Sequence, residues 1–286
     1  MANQLMRSLL LACCACAVAA CTRSGHSSGP APEPLLSKIR SRGALIVATE
    51  AALEPFEFVR NGQIVGYNKE ILDCVAAGLG VRLEQINLPF QGILPGLIAR
   101  KFDFVATSVT INAERARKYA FTRPIGSADN TVLVRANDMR VKTPDDLRGL
   151  IVATQLASAE QPVVEAHDAQ LQRRGLGGYA TIKLFTAFPE TQLALASGQV
   201  DAIVIASPAA AVLMKKVPGT YRIATVIGKA APLAWVTRPE DPDLRDYINA
   251  KIDELRDSGK LRELQLKWFG FVMETPQEDY LPTGAQ

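Results

Sequence analysis

The sequence predicts an α/β protein of two lobes. Short β-branched runs alternate with amphipathic stretches, the alternation occurs twice, and extended segments lie where the two units would connect. In the first unit, strands are expected at residues 45–49, 83–88 and 102–109, with helices at 69–77 and 92–100. Within it, Phe56-Glu57-Phe58-Val59, Asn61-Gly62 and Ile64-Val65 form a hairpin pattern, because Asn-Gly supplies the positive φ angles of a two-residue turn. The second unit opens after about residue 135 with Thr143-Pro144-Asp145-Asp146, a helix start with a capping residue, an early proline and acids in the first turn. Strands follow at 150–154, 181–185 and 201–205, and helices near 159–172 and 190–196. Segments 131–134 and 224–227 are expected to cross between the units, and 232–237 to return as a strand to the first. Apolar residues at helical spacing over 243–269 complete it.

Of the 286 residues, 48% are hydrophobic, enough for one large domain or two of ordinary size. The net charge of +3 is spread along the chain without a basic run, which argues against nucleic acid as a partner. The first residues read differently: Arg7, an apolar run over 9–20, and small residues at Val18-Ala19-Ala20 make a secretory signal peptide. The run is too short to span a bilayer comfortably, and no later stretch reaches the roughly 18 apolar residues that a membrane helix needs. Val18-Ala19-Ala20-Cys21 resembles the lipobox of bacterial lipoproteins, which implies that Cys21 carries the lipid anchor. Cys13, Cys14 and Cys16 fall within the leader, so Cys74 is left as the one free thiol of the body. Taken alone, the early cysteines could suggest a metal cluster, but no His, Asp or Glu stands among them. Residues 22–34, rich in Ser, Gly and Pro, read as a tether.

An ordered set of motifs carries a wider resemblance. Ala44-Leu45-Ile46-Val47-Ala48-Thr49, Pro55-Phe56-Glu57-Phe58, Gly66-Tyr67, Ile93-Leu94-Pro95-Gly96-Leu97, Thr110-Ile111-Asn112-Ala113-Glu114-Arg115, Gly198-Gln199-Val200-Asp201-Ala202 and Lys267-Trp268-Phe269-Gly270 together resemble the solute-binding proteins of family 3, the periplasmic polar amino acid-binding proteins of ABC transporters. The resemblance implies a type II periplasmic binding protein fold, with two hinge strands and a cleft between the lobes. It implies the boundaries 1–20 for the leader, 21–36 for the tether, 37–132 with 228–275 for lobe 1, 133–227 for lobe 2 and 276–286 for a C-terminal tail. It also implies a monomeric receptor that captures a small carboxylate by lobe closure and hands it to the permease subunits of an importer while anchored to the membrane by lipid.

Arg115 is the first candidate for the ligand site, because a guanidinium offers a carboxylate two parallel donors and stays charged at any working pH. Thr110 and Asn112 could each cap the helix that Arg115 enters. A helical Arg otherwise pairs at the surface, here with Glu114 or another neighbouring acid. By the resemblance, Ser108 and Thr110 meet the ligand head group, Phe90 forms an aromatic wall, and Glu50 lies near the ligand ammonium. In the second lobe Ser158 matches the family's hydroxyl position, accompanied by Gln155 and Ala159, with Ala157 where glycine is usual. Plain core packing is the alternative for Phe90 and the better reading for Phe56, and an N-cap is the alternative for Ser158.

Two departures bear on the ligand. Many amino-acid receptors of this family place an ammonium-binding aspartate where this chain has Ala206, and an aromatic cover where it has Leu53. A buried ammonium without a carboxylate is costly, so Glu50 or Glu54 is expected to supply the charge, or the ligand lacks a free amine. No catalytic residue, cofactor or metal is expected: the chain has two histidines, His26 in the tether and His167 on a helix facing solvent, and no metal-ligand or phosphate-loop motif. A dehydratase of the cyclohexadienyl or arogenate type on the same fold is the alternative, with Glu50 and Glu54 the acids placed in the cleft.

Overall fold

The computed structural model describes residues 33–286, and Pro34–Gln286 form one compact unit. The leader, Cys21 and nearly all of the tether lie outside the described residues. Helix α1 (Leu35–Arg42) starts two residues inside the stretch read as tether and packs Ile39 into the core. It leads into β1 (Ala44–Thr49), a run buried on both faces. The short β2 (Ala52–Leu53) joins a hairpin of β3 (Glu57–Arg60) and β4 (Gln63–Val65) in a small antiparallel sheet. Its turn has Asn61 at φ 52° and Gly62 at φ 76°, as the Asn-Gly pair predicts. Gly66, at φ 132°, follows; a Cβ there would lie 2.4 Å from the Phe56 carbonyl oxygen, so only glycine lets the hairpin close onto α2 (Tyr67–Leu79).

Next come β5 (Arg82–Asn87), α3 (Phe90–Ile98), β6 (Phe104–Thr110), α4 (Ala113–Ala116), β7 (Ala120–Phe121) and β8 (Gly126–Arg135). A single 3-10 turn at Pro144–Leu147 stands where the capping pattern predicted a helix start; the cap is present, but the element ends after one turn. Then follow β9 (Ile151–Gln155), α5 (Glu160–Arg173), β10 (Thr181–Phe185), α6 (Phe188–Ala196), β11 (Ala202–Ala206), α7 (Ser207–Lys216), β12 (Tyr221–Thr237), α8 (Pro242–Asp257) and α9 (Lys260–Phe269). The amphipathic stretch expected over 243–269 is thus two helices, broken at Gly259 in the left-handed region. Residues 276–286 form no helix or strand, but Tyr280 and Ala285 pack against the apolar cluster that holds Phe90, Ala116 and Phe121, and the Gln286 N–H reaches the Ala116 carbonyl at 2.9 Å.

The main sheet runs β10-β9-β11-β8-β12-β6-β1-β5, with β7 also paired to β12. At one end β1 lies parallel to β5 and β6; at the other β9 lies parallel to β10 and β11. The antiparallel pair β8 and β12 joins the two ends. The expected crossing at 224–227 and return strand at 232–237 are parts of one strand, whose register shifts between Ile227 and Ala231. Helices cover both faces of each end, and separate apolar clusters form beneath them. One gathers Phe90, Ile93, Leu97 and Val105 under α3; another gathers Val132, Val152, Val164 and Val204 under α5; the largest lies around Trp235, Tyr67 and Phe269. Two parallel groups linked by an antiparallel pair leave the carboxyl ends of β1, β6, β9 and β11 facing one crevice, where ligands of open α/β sheets bind.

Candidate ligand-binding site

The crevice holds a cavity of about 30 Å³, lined from both ends of the sheet. All ten residues expected at the ligand site border it: Glu50, Leu53, Phe90, Ser108, Thr110 and Arg115 from the first end, and Gln155, Ser158, Ala159 and Ala206 from the second. Phe56, Thr107, Glu160, Phe188 and Leu233 complete the wall. Phe56 therefore serves both core and cavity, packing edge-on against Phe269 at 4.9 Å.

Arg115 owes its position to α4. The Asn112 side chain accepts the Arg115 backbone N–H at 2.9 Å, so Asn112, not Thr110, caps this turn. The side chain then runs inward and is only 9% exposed. Its Nη1 donates to the Thr110 carbonyl at 3.2 Å, its Nη2 to the Ala157 carbonyl across the crevice at 2.9 Å, and the guanidinium lies 5.4 Å from the Phe90 ring centroid. The surface pairing open to a helical Arg is not made, since Glu114 pairs with Lys118 at 2.9 Å instead. Burial pulls the Arg115 pKa down, and Glu160 is the acid that opposes this most. A cation held by carbonyls and an aromatic face in a closed space retains a strong demand for an anion.

Ala157 takes the left-handed conformation at φ 62°, which accounts for glycine being the usual residue there. That turn aims its carbonyl at Arg115 while its N–H donates to Gln161 Oε1 at 2.7 Å. Ser158 Oγ accepts the Gln161 N–H at 3.3 Å, so it caps α5 and lines the cavity at once. Behind Ser108, Asn68 donates to its hydroxyl at 2.9 Å and to the fully buried Glu57, which also accepts from Thr107. Burial keeps the Glu57 carboxyl well above the ordinary range.

Glu50 is 4% exposed and accepts a hydrogen bond from Gln155 Nε2, a second link between the two ends. Burial pushes its pKa up to about 7; bonds from Gln155 and the Phe90 backbone lower it, and the charge of Glu160 raises it. Glu54 is absent from the cavity wall and pairs outside with Lys216 at 2.5 Å, so its placement in the cleft is corrected. Glu160 was not foreseen. It is the first residue of α5, 7% exposed, and burial raises its pKa against the opposing effects of its own N–H, Ser158 and Arg115. An acid at a helix start ordinarily signals only a favourable dipole position, so the sequence carried no sign of its burial. His167 is likewise corrected: it is half-buried, with Nδ1 2.6 Å from the Tyr179 hydroxyl.

A larger open groove, about 480 Å³, runs alongside between α5 and the β12 bulge. It shares Thr110 and Ala159 with the cavity but contains neither Arg115 nor Glu50. Among the described residues no group of His, Cys, Asp and Glu is placed to hold a metal ion, and no helix is long and apolar enough to cross a membrane.

The chain is 30% identical over 242 residues to the L-cystine-binding protein TcyJ of Escherichia coli (strain K12), covering 84% of this chain and 88% of that protein. It is similar in structure to the arginine-bound form of truncated ArgBP from T. maritima, with a TM-score of 0.70 and 33% identity over 77% of this chain and 99% of that one. It is also similar to the ancestral amino acid-binding protein AncCDT-1, described as a precursor of cyclohexadienyl dehydratase, with a TM-score of 0.72 and 30% identity over 83% and 100% of the two chains. The fold is thus the two-lobed one of periplasmic amino-acid-binding proteins. Residues 45–271 match the family itself, and this chain belongs to the bacterial extracellular solute-binding proteins, family 3.

Proposed function

We propose that the protein is the extracytoplasmic receptor of an ABC importer and captures an amino acid or amino-acid-like carboxylate between its lobes. The observation that carries this reading is Arg115, buried at the carboxyl end of β6 with cation-compatible partners only and open to a cavity built by both lobes. A carboxylate entering that space would accept the remaining guanidinium N–H groups, and Ser108, Thr110 and Ser158 would add hydroxyl contacts. The names of the similar proteins support the same class of ligand.

In this reading residues 37–132 and 228–275 form lobe 1 and 133–227 form lobe 2. Ligand held on lobe 1 gains contacts from Ala157, Ser158 and Ala159 only in the closed state, so it stabilises closure through its differential affinity. The permease subunits would recognise that closed shape. The leader 1–20 would direct export, Cys21 would take the lipid that holds a monomeric receptor at the membrane, and 21–36 would be the tether.

Arg115→Ala tests the assignment by calorimetric titration with amino acids that bind the wild type. Affinity should fall at least tenfold, about 1.4 kcal/mol, and a smaller loss removes Arg115 as the carboxylate anchor. A second reading has one observation in its favour: Glu50 and Glu160 are buried carboxyls with raised pKa values in one cavity, as acid-base chemistry requires. Turnover of a prephenate-like acid, lost in Glu160→Gln, would establish that dehydratase alternative in place of simple capture.

A further inference from the structure

Behind the cavity wall lies a set of polar side chains that carboxylate capture by Arg115 leaves unused. Glu57 at the start of β3, Asn68 in the first turn of α2, Thr107 and Ser108 in β6 and Trp235 in β12 meet there. Glu57, Asn68 and Trp235 are at most 1% exposed and do not border the cavity, whereas Thr107 and Ser108 do. The Asn68 backbone is pinned to the hairpin, because its N–H donates to the Phe56 carbonyl at 2.9 Å beside the close approach that Gly66 allows. Its side-chain amide is the point on which the other groups converge.

Donor and acceptor chemistry decides how that amide stands. An indole N–H can only donate, and a buried one needs an acceptor. Trp235 Nε1 lies 3.4 Å from Asn68 Oδ1, which turns the amide oxygen toward the indole and the amide nitrogen away from it. The two Nδ2 hydrogens then go to Glu57 and to Ser108 Oγ, the latter at 2.9 Å. The Glu57 oxygens are engaged by Asn68 and Thr107, so the carboxyl does not compete for Ser108. Ser108 Oγ therefore accepts from Asn68 and keeps its own hydrogen. The acceptor within reach of that hydrogen is Asn68 Oδ1 at 3.4 Å, a long contact already shared with Trp235. An acceptor atom entering the cavity would offer it a shorter bond, whereas a donor would compete with Asn68 for the same oxygen.

Resting on the capture reading above, we propose that Asn68 is a positioning residue of the ligand site: oriented by Trp235 and Glu57, its amide makes the Ser108 hydroxyl a donor toward the cavity. The ligand atom opposite that hydroxyl is then a carboxylate or carbonyl oxygen and not an ammonium. Asn68 touches no ligand itself, and acts by fixing the polarity of a group that does.

The test is calorimetric titration of the purified protein with the common L-amino acids and L-cystine, the variants being compared on the tightest-binding of these probes. Ser108→Ala removes the donor and should weaken that probe about fivefold. Asn68→Asp keeps the shape but puts an acceptor oxygen where Nδ2 stood; it captures the Ser108 hydrogen and should weaken the probe by about as much. The double variant should bind within about twofold of Asn68→Asp alone, because the donor is already lost. A merely structural role of Asn68 would instead multiply the two losses to about 25-fold. Trp235→Phe removes the N–H that orients the amide and should cost about two- to fivefold, which decides the matter if thermal melts show that Asn68→Asp does not fold. Multiplied losses, or wild-type affinity in Asn68→Asp or in Trp235→Phe, overturn the assignment. Wild-type affinity in Ser108→Ala while Arg115→Ala still loses binding overturns it too, and leaves the capture reading standing. Absence of binding by every probe overturns the capture reading, and this assignment with it.

Discussion

Glu50→Gln should flatten the pH dependence of stability in the unliganded protein by about 3 kcal/mol. Burial at 4% exposure lifts the folded-state pKa of Glu50 from an ordinary 4.5 to about 7. Between those two values the folded protein keeps a proton that the unfolded chain has released. Stability then falls as pH rises through this window, because fewer protons are bound in the unfolded state than in the native one. At about 1.36 kcal/mol per decade, the interval corresponds to about 3 kcal/mol, fully lost above pH 7. Glu57 and Glu160 are raised in the same direction and steepen the same decline. Urea denaturation of wild type and Glu50→Gln at pH 5 and pH 8 reads the contribution of this carboxyl together with its coupling to Glu57 and Glu160. The wild-type loss across that range, which begins about half a pH unit inside the window, should exceed the variant's by about 2.5 kcal/mol. Two parallel profiles, within 1 kcal/mol of each other, would show that Glu50 is already ionised in the empty cavity, and the argument from its burial would fail.

Ala157→Gly should raise thermal stability by about 0.5–1 kcal/mol, or roughly 2 °C, by relieving a left-handed alanine; an unchanged or lower melting temperature would contradict that. Gly66→Ala places a Cβ against the Phe56 carbonyl at φ 132° and should cost about 3 kcal/mol in chemical denaturation, with a loss under 1 kcal/mol showing that the hairpin relaxes freely. Cys21→Ser should move the protein from the membrane to the soluble fraction after cell fractionation, and retention at the membrane would exclude Cys21 as the anchor.

Much of this architecture was legible in local pattern. The Asn61-Gly62 turn, the buried run of β1 and the β9 and β11 strands follow from residue types whose preferences act over a few positions, and the structure has them where the pattern does. Helix α7 was not, because Ser207-Pro208-Ala209-Ala210-Ala211 has too few apolar contrasts to show a period. Nor was the unity of β12, since Gly228, at φ 72° between two extended runs, reads as a turn until its pairing with β8 is seen.

For the cavity, the sequence by itself determined the cation: Arg115 stands in an ordered set of motifs that implies a carboxylate site. The balancing acids were a tertiary matter. Glu50 and Glu54 are four positions apart and indistinguishable by composition, yet one is enclosed by Gln155 from the other end of the sheet while the other is drawn outward by Lys216 on α7. Glu160 would be an ordinary acid in the first turn of a surface helix if α5 did not face the crevice. Secondary structure depends on neighbours in the chain, whereas burial of a charge depends on which distant element covers it, and here that element comes from the opposite end of the sheet.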